Sequence, residues 1–185
     1  HGAKRQMADL RRQPVGVAVG ACHNDWARIQ WGKGPPTSPY VTTGIATCVV
    51  AGRVSYMLGL VGPSMVVDTA CSSSLVATSL ARGWLAADDC PEALAVGENL
   101  LLDPNTTVQY SQTKMMSPEG ECKTFDESAD GYVRAEGCVA VVLRHTSLEE
   151  DAARHHAGLL AAAVNQDGEL ASWPLTWLNG DCCRC

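Results

Sequence analysis

With 185 residues, 46% hydrophobic and only 18% charged, the chain is long enough for one domain with a real core and too apolar for a disordered or solvating segment. A net charge of −6 and a pI near 5.3 exclude the basic face that a nucleic acid or an anionic membrane surface requires. No apolar run approaches a membrane span and no signal-peptide core opens the chain, so the expected location is cytoplasmic.

The chain opens on His1, and HGAKRQMADLRRQP reads as polar connecting sequence or exposed helix, which suggests an internal piece of a longer protein. PVGVAVG, Pro14 to Gly20, is a β-rich run bounded by turn residues and predicts a strand. The Gly- and Pro-dense WGKGPPTSPY that follows shortly is a loop. From Thr43 to about Leu58, TGIATCVVAGRVSYML has small and apolar residues at helical spacing, closed by Gly59. That pattern predicts one helix packed closely on several sides.

SMVVDTA predicts the next strand, SSSLVATSLARGWLAA the next helix, and EALAVGENLLL a strand at Ala93 to Val96. Pro104 to Gly120 reads as an irregular, partly helical connection. GCVAVVLRH carries a nearly continuous apolar run, which predicts a strand buried on both faces. Ser147 and Glu150 form a capping box that opens a helical turn or two, and GLLAAAVNQDG is the last predicted strand. Strands alternating with helices point to an α/β layered fold.

The nine cysteines do not read as a disulfide framework. Cys22, Cys48, Cys71, Cys90, Cys122 and Cys138 are scattered, several within apolar runs, and predict buried reduced thiols. The terminal DCCRC (Cys182, Cys183, Cys185) has no second pair at finger spacing, so no metal site is predicted even with His155 or His156 nearby. NTT at Asn105 is a polar turn.

Cys71 is different. In VVDTACSSSLVATSL it stands where a predicted strand becomes a predicted helix. A helix N-terminus carries partial positive charge and unpaired N–H groups, which favour a thiolate and stabilise an oxyanion on a bound thioester. Ser72 to Ser74 are small enough to let a substrate approach and can satisfy leftover amide donors. By spacing alone a small core cysteine is the commoner reading of such a position, and catalysis the minority one.

The wider sequence resembles a known family. GPSMVVDTACSSSLVA is similar to the active-site segment of the β-ketoacyl synthase (ketosynthase) domains of modular type I polyketide synthases. GRVSYMLGLVGPS resembles the helix and loop that lead into it, MMSPEGECKTFDESADGYVRAEG (Met115 to Gly137) the long motif after the nucleophile, and AVNQDG (Ala163 to Gly168) the next landmark. On this resemblance residues 1–14 are a connecting segment, 15–168 a partial ketosynthase domain and 169–185 a divergent tail. The implied fold is thiolase-like, incomplete, and mainly the N-terminal half of that domain.

The resemblance implies a decarboxylative Claisen condensation. Cys71 would accept an acyl chain from the phosphopantetheine of an acyl-carrier protein, with its own N–H as half of the oxyanion hole. A carrier-bound malonyl unit would then lose CO₂ and attack. No cofactor binds directly; the partners are the carrier protein and its acyl and malonyl thioesters, and the parent enzyme is expected to be a homodimer. Tyr110 falls where relatives line the acyl pocket with an aromatic residue. Thr176, in ELASWPLTWLNG, falls near a segment that meets the pantetheine arm, although Trp177 and Leu178 replace the family's Ala-Pro. The family's two catalytic histidines come from EAHGTGT-like and NIGH-like loops, and neither motif occurs in this sequence.

Of the five histidines present, His23 is the one expected near the carboxyl ends of strands, whereas His145, His155 and His156 are expected to face solvent. Period-two alternation in DGYVRAEG sets Tyr132, Arg134 and Glu136 on one face and suggests an Arg–Glu pair. Ala135 stands where the family has glycine. Other readings stay open: a fatty-acid condensing enzyme or thiolase, a hydrolase using Cys71 with His23, or a non-catalytic remnant. The resembled fold also has a central strand from the start of its domain, before Val15. A slot between the PVGVAVG and EALAVG strands is therefore expected, with unpaired backbone groups, a split or wrongly closed sheet, and an aggregated or molten chain.

Overall fold

A computed structural model describes residues 7–34, 38–145 and 155–166. The elements in chain order are α1 (Met7–Leu10), β1 (Val15–Gly20), α2 (Asp25–Gly32), α3 (Val41–Ile45), α4 (Val49–Leu58), β2 (Ser64–Val67), α5 (Ser73–Ala86), β3 (Glu92–Asn99), α6 (Pro104–Gln112) and β4 (Gly137–Arg144). They form one four-stranded sheet in the order β2-β1-β3-β4. The β1, β2 and β3 strands run parallel, and β4 returns antiparallel along β3.

The central strand explains the architecture. Every residue of β1 is buried, and its VGVAVG pattern gives the two faces different sizes. Val17 and Val19, with Ala21, pack against Ala51 of α4, with Val54, Leu60, Val66 and Val96 around them. Ala18 faces α5, where Ala77, Ala81, Trp84 and Leu85 meet Cys90, Ala93 and Ala95. Small residues on both sides of that second interface bring α5 close to the sheet. A Cβ built on Gly16 would come within 2.9 Å of the Trp84 ring, and one on Gly20 within 2.5 Å of the Ser73 backbone. The strand is thus valine-rich towards one helix and glycine-rich towards the other.

Several expectations need correction. The Thr43–Leu58 stretch is two helices, broken where Ala46 turns extended and where the Asn24 side chain binds the Ile45 carbonyl and, at 3.1 Å, the Thr47 hydroxyl. Only Ala51 and Ser55 of α4 are buried, so it covers one sheet face and is not enclosed. α2 was not expected as a helix; Asn24 caps it by accepting the Ala27 N–H at 2.9 Å. β4 is not buried on both faces: Val139 and Val142 are 69% and 68% exposed. It is the sheet edge, and of its residues Leu143 is the one that packs against the α5 core.

Residues 158–166 are exposed and irregular where a strand was expected. The Arg82 guanidinium donates to the Leu160 carbonyl there, and no ladder forms. The Ser147–Glu150 capping box, the end of AVNQDG and the tail from 167 onward lie outside the described residues. Among the described cysteines all are free, as expected, but only Cys90 is buried.

The anticipated slot is absent. β1 and β3 pair directly, from Val15 opposite Glu92 to Gly20 opposite Gly97, so their backbone groups satisfy one another. Of the two outcomes expected, a split or a wrongly closed sheet, this direct pairing is the closed one.

The glycine-lined contact separates two substitutions of the same kind. Gly20→Ala drives a methyl into the Ser73 backbone and is expected to cost about 1–3 kcal/mol through overpacking. Gly83→Ala, inside α5 with open space at its Cβ position, is expected to gain about 0.5–1 kcal/mol in helix stability. Denaturant midpoints of the two variants against the parent chain read both signs.

Candidate active site

Cys71 lies on the turn between β2 and α5, one residue before the helix N-cap at Ser72. The turn is strained: Ala70 has φ +55°, in the left-handed region that favours glycine, a cost on the order of 1 kcal/mol. Four contacts hold it. The Asp68 carboxylate accepts the Ala70 N–H at 3.1 Å, and the Ser73 hydroxyl accepts the Thr69 N–H at 2.9 Å. The same hydroxyl donates to the Ala70 carbonyl at 2.6 Å, and the Ser72 hydroxyl donates to the Thr69 carbonyl at 2.8 Å. Ser72 and Ser73 therefore fasten the strained turn from behind and do not cap the first amides of α5, as the sequence suggested. Ser74 lies against Gly97, where a Cβ would approach its own Cβ to 2.6 Å.

The result is an exposed thiol at the head of a 14-residue helix. It opens onto a largely apolar cleft of about 860 Å³, with Cys22, His23, Tyr110, Tyr132 and Arg134 on its walls. That volume suits a drug-sized or short-chain ligand. Two of the residues singled out from the sequence, Cys71 and Tyr110, thus line one cavity, and Thr176 lies outside the described residues. Among the described residues no His/Cys/Asp/Glu cluster suits a metal ion.

Part of the cleft wall is an aromatic stack. Tyr110 contacts His23 edge-on at 5.7 Å between ring centres and Tyr132 at 6.5 Å. The Tyr110 hydroxyl lies 3.1 Å from His23 Nε2, and the Arg134 guanidinium lies over the Tyr110 ring at 5.3 Å. Burial pushes the Tyr110 hydroxyl pKa up, reinforced by nearby Cys22 and opposed by the Arg134 charge. His23 is in the cleft as expected, but its Nε2 is engaged by Tyr110, and among the described residues no hydrogen bond links it to Cys71. That geometry counts against a Cys–His hydrolase. Burial also raises the Cys22 thiol, with the Asp68 and Glu98 carboxylates adding to it, so Cys22 is a poor competitor as a nucleophile. His145, His155 and His156 are exposed, as expected.

The expected Arg134–Glu136 pair is not how these groups are held. Arg134 Nη1 donates to the Thr107 hydroxyl at 2.9 Å, while Glu136 accepts the Leu101 N–H at 2.8 Å. Each fastens the 132–136 segment to a different neighbour.

Asp25 was not picked out from the sequence, yet it organises this side of the cleft. It is 4% exposed at the start of α2, and accepts the Leu102 N–H at 3.1 Å, the Asp103 N–H at 3.0 Å and the Thr106 hydroxyl at 2.9 Å. Arg28, one turn on, pairs with Asp103 at 3.1 Å. These bonds dock the N-terminus of α6 against α2 and so fix Tyr110 on the helix face above. A local signal existed: Asn24-Asp25 and Asp103-Pro104 both read as helix starts. Nothing in the sequence states that the two starts touch.

Comparison with known proteins follows the same lines. The family described as "Beta-ketoacyl synthase, N-terminal domain" matches residues 1–149. Fumosorinone synthetase of Cordyceps fumosorosea is 44% identical over 167 residues, covering 88% of this chain and 4% of that protein. The non-reducing polyketide synthase olcA of Penicillium canescens is 41% identical over 177 residues, covering 95% and 7%. Among solved structures, the ketosynthase from module 6 of the bacillaene synthase of Bacillus subtilis 168 superposes with a TM-score of 0.66 at 35% identity, over 76% of this chain and 23% of that one. The chain therefore spans under a tenth of these synthases and about a quarter of the solved ketosynthase.

The Asp25 cluster makes a pH-dependent prediction. Burial alone would raise this carboxyl, but the bonds from Asp103, Thr106 and Leu102 and the Arg134 charge win and lower it. A carboxyl depressed on folding stabilises the fold above the ordinary aspartate range near ~3.9, and the contribution is lost as pH falls through the folded value. Asp25→Asn is expected to cost about 1–3 kcal/mol at neutral pH, a difference that narrows in acid. Urea titrations of both chains at neutral pH and below the aspartate range measure it.

Proposed function

This chain belongs to the β-ketoacyl synthase family, and we propose that it is the nucleophile-bearing part of a polyketide-synthase ketosynthase, with Cys71 as the acyl-accepting residue. The observation that carries the reading is the exposed Cys71 thiol on a strained turn at the head of α5, facing an apolar cleft. The polyketide-synthase names of its relatives favour this substrate class over fatty-acid condensation or thiolysis.

Acyl transfer needs a thiolate, an oxyanion site and an apolar place for the chain. The Cys71 sulfur attacks the thioester carbonyl, and a new C–S bond forms as the carbonyl π pair moves onto oxygen. The backbone N–H of Cys71 receives the oxyanion as half of its site, since those of Ser72 and Ser73 are taken by the Thr69 and Ala70 carbonyls. Collapse breaks the old C–S bond, and the phosphopantetheine thiol leaves on its carrier protein with the proton that Cys71 gave up. Tyr110 borders the acyl chain, and Thr176, outside the described residues, is assigned to the pantetheine arm by the resemblance alone. The acyl and malonyl carriers are the partners, in a cytoplasmic parent enzyme that works as a homodimer.

Condensation asks for more. Decarboxylation of the malonyl unit needs donors that hold the developing enolate, and the family's two histidine motifs are not among these 185 residues. His23, bound to Tyr110, does not replace them.

Incubation of the chain with an acyl N-acetylcysteamine thioester, followed by intact-mass measurement and peptide mapping, tests the proposal. One acyl group is expected on Cys71 and none on Cys71→Ala, with no carbon–carbon product when a malonyl thioester is added. Acylation spread over several cysteines, or a condensed product, overturns it.

A further inference from the structure

Arg134 holds a buried position without using all of its donors. Its Nη1 is bonded to Thr107, but its Nη2 is buried with no hydrogen-bond partner among the described residues. Guanidinium nitrogens are rarely left so, since burial forfeits their bonds to water. The group is instead placed with its central carbon 5.3 Å from the centre of the Tyr110 ring. Thr107 and Tyr110 are three residues apart on α6, so one guanidinium spans both on the same helix face. Tyr110 is thereby held on three sides, by Arg134, by Tyr132 and by the bond to His23, leaving its remaining side to the cleft that contains Cys71.

We infer that Arg134 is a positioning residue: by clamping Tyr110 and Thr107 it fixes the aromatic part of the wall of the Cys71 cleft and so sets which chain lengths fit beside the thiol. The inference deepens the acyl-transfer reading, but its geometric half stands independently of it. Arg134 itself borders the cleft, and the clamp acts through the Tyr110 ring that it holds. A cation over the ring is the essential part and the Thr107 bond its support.

The test compares alkylation of Cys71 by iodoacetamide and by its N-octyl derivative, in the full chain and in its variants. Arg134→Gln is expected to change the octyl-to-parent rate ratio at Cys71 by about fivefold, the scale of one lost ring–cation contact, while the ratio at the exposed Cys48, outside this cleft, keeps its parent value. Arg134→Lys, which keeps a cation, restores more than half of the change. Thr107→Val, which removes only the support, shifts the ratio the same way by less, and remains informative if Arg134→Gln does not fold. An unchanged ratio in the folded Arg134→Gln and Thr107→Val chains overturns the inference, as does a ratio that Arg134→Lys leaves at the Gln value. Because no thioester is involved, failure of the acyl-transfer reading is seen separately, as absent acylation by thioesters with the alkylation ratio still shifted.

Discussion

The close contact between the head of α5 and the glycines of β1 and β3 governs the rest of this structure. Gly20 meets the Ser73 backbone and Gly97 meets the Ser74 side chain, each at a separation that leaves no room for a methyl group. An overlap of that size is repulsive by more than a few weak contacts can return, so the helix sits at this depth only because both positions lack a side chain. The turn between β2 and α5 has to bend sharply to reach that depth, and Ala70 enters the left-handed region there. Cys71 stays exposed while Ser73, two residues on, is buried against the sheet.

A second layer of constraint comes from the aromatic part of the cleft wall. Asp25 joins two helix starts that are distant in sequence, and its three accepted bonds fix α6 relative to α2. Tyr110 and Thr107 ride on α6, and the segment carrying Tyr132 and Arg134 is fastened back to it. The cleft thus has one wall set by steric contact at the glycines and one set by buried hydrogen bonds. Steric contact changes little with pH, whereas the carboxylate-centred wall weakens in acid.

How much was legible in the sequence follows from which interactions are local. The VGVAVG, SMVV and EALAVG strands and the α5 helix carried their own periodicity, and the DTACSSS elbow announced both the thiol and its helix. The break between α3 and α4 did not, because it depends on Asn24 reaching two residues some twenty positions away. α2 was hidden by the Gly- and Pro-rich run after it, although Asn24 was a fair cap signal. β4 read as a buried strand because its composition is apolar, but composition does not state what covers a strand, and here it forms the sheet edge. The gap expected between β1 and β3 assumed an inserted strand; without one, all six residues of β1 pair along the longer β3. Arg134 and Glu136 were read as partners because alternation puts them on one face, yet each bonds a group distant in sequence, the Thr107 hydroxyl and the Leu101 N–H.

If the glycine contact sets the position of Cys71, disturbing it alone should change that thiol and no other. Gly97→Ala places a methyl against Ser74 and away from the exposed Cys48 and Cys122, which serve as internal standards in the same molecule. Site-resolved alkylation rates by mass spectrometry, at neutral pH and well below the unfolding midpoint, give the comparison directly. The account predicts that the Cys71 rate changes severalfold while the two standards keep theirs, because the methyl shifts the helix head. A Cys71 rate that stays with the standards, either unchanged or moving together with them, would contradict it.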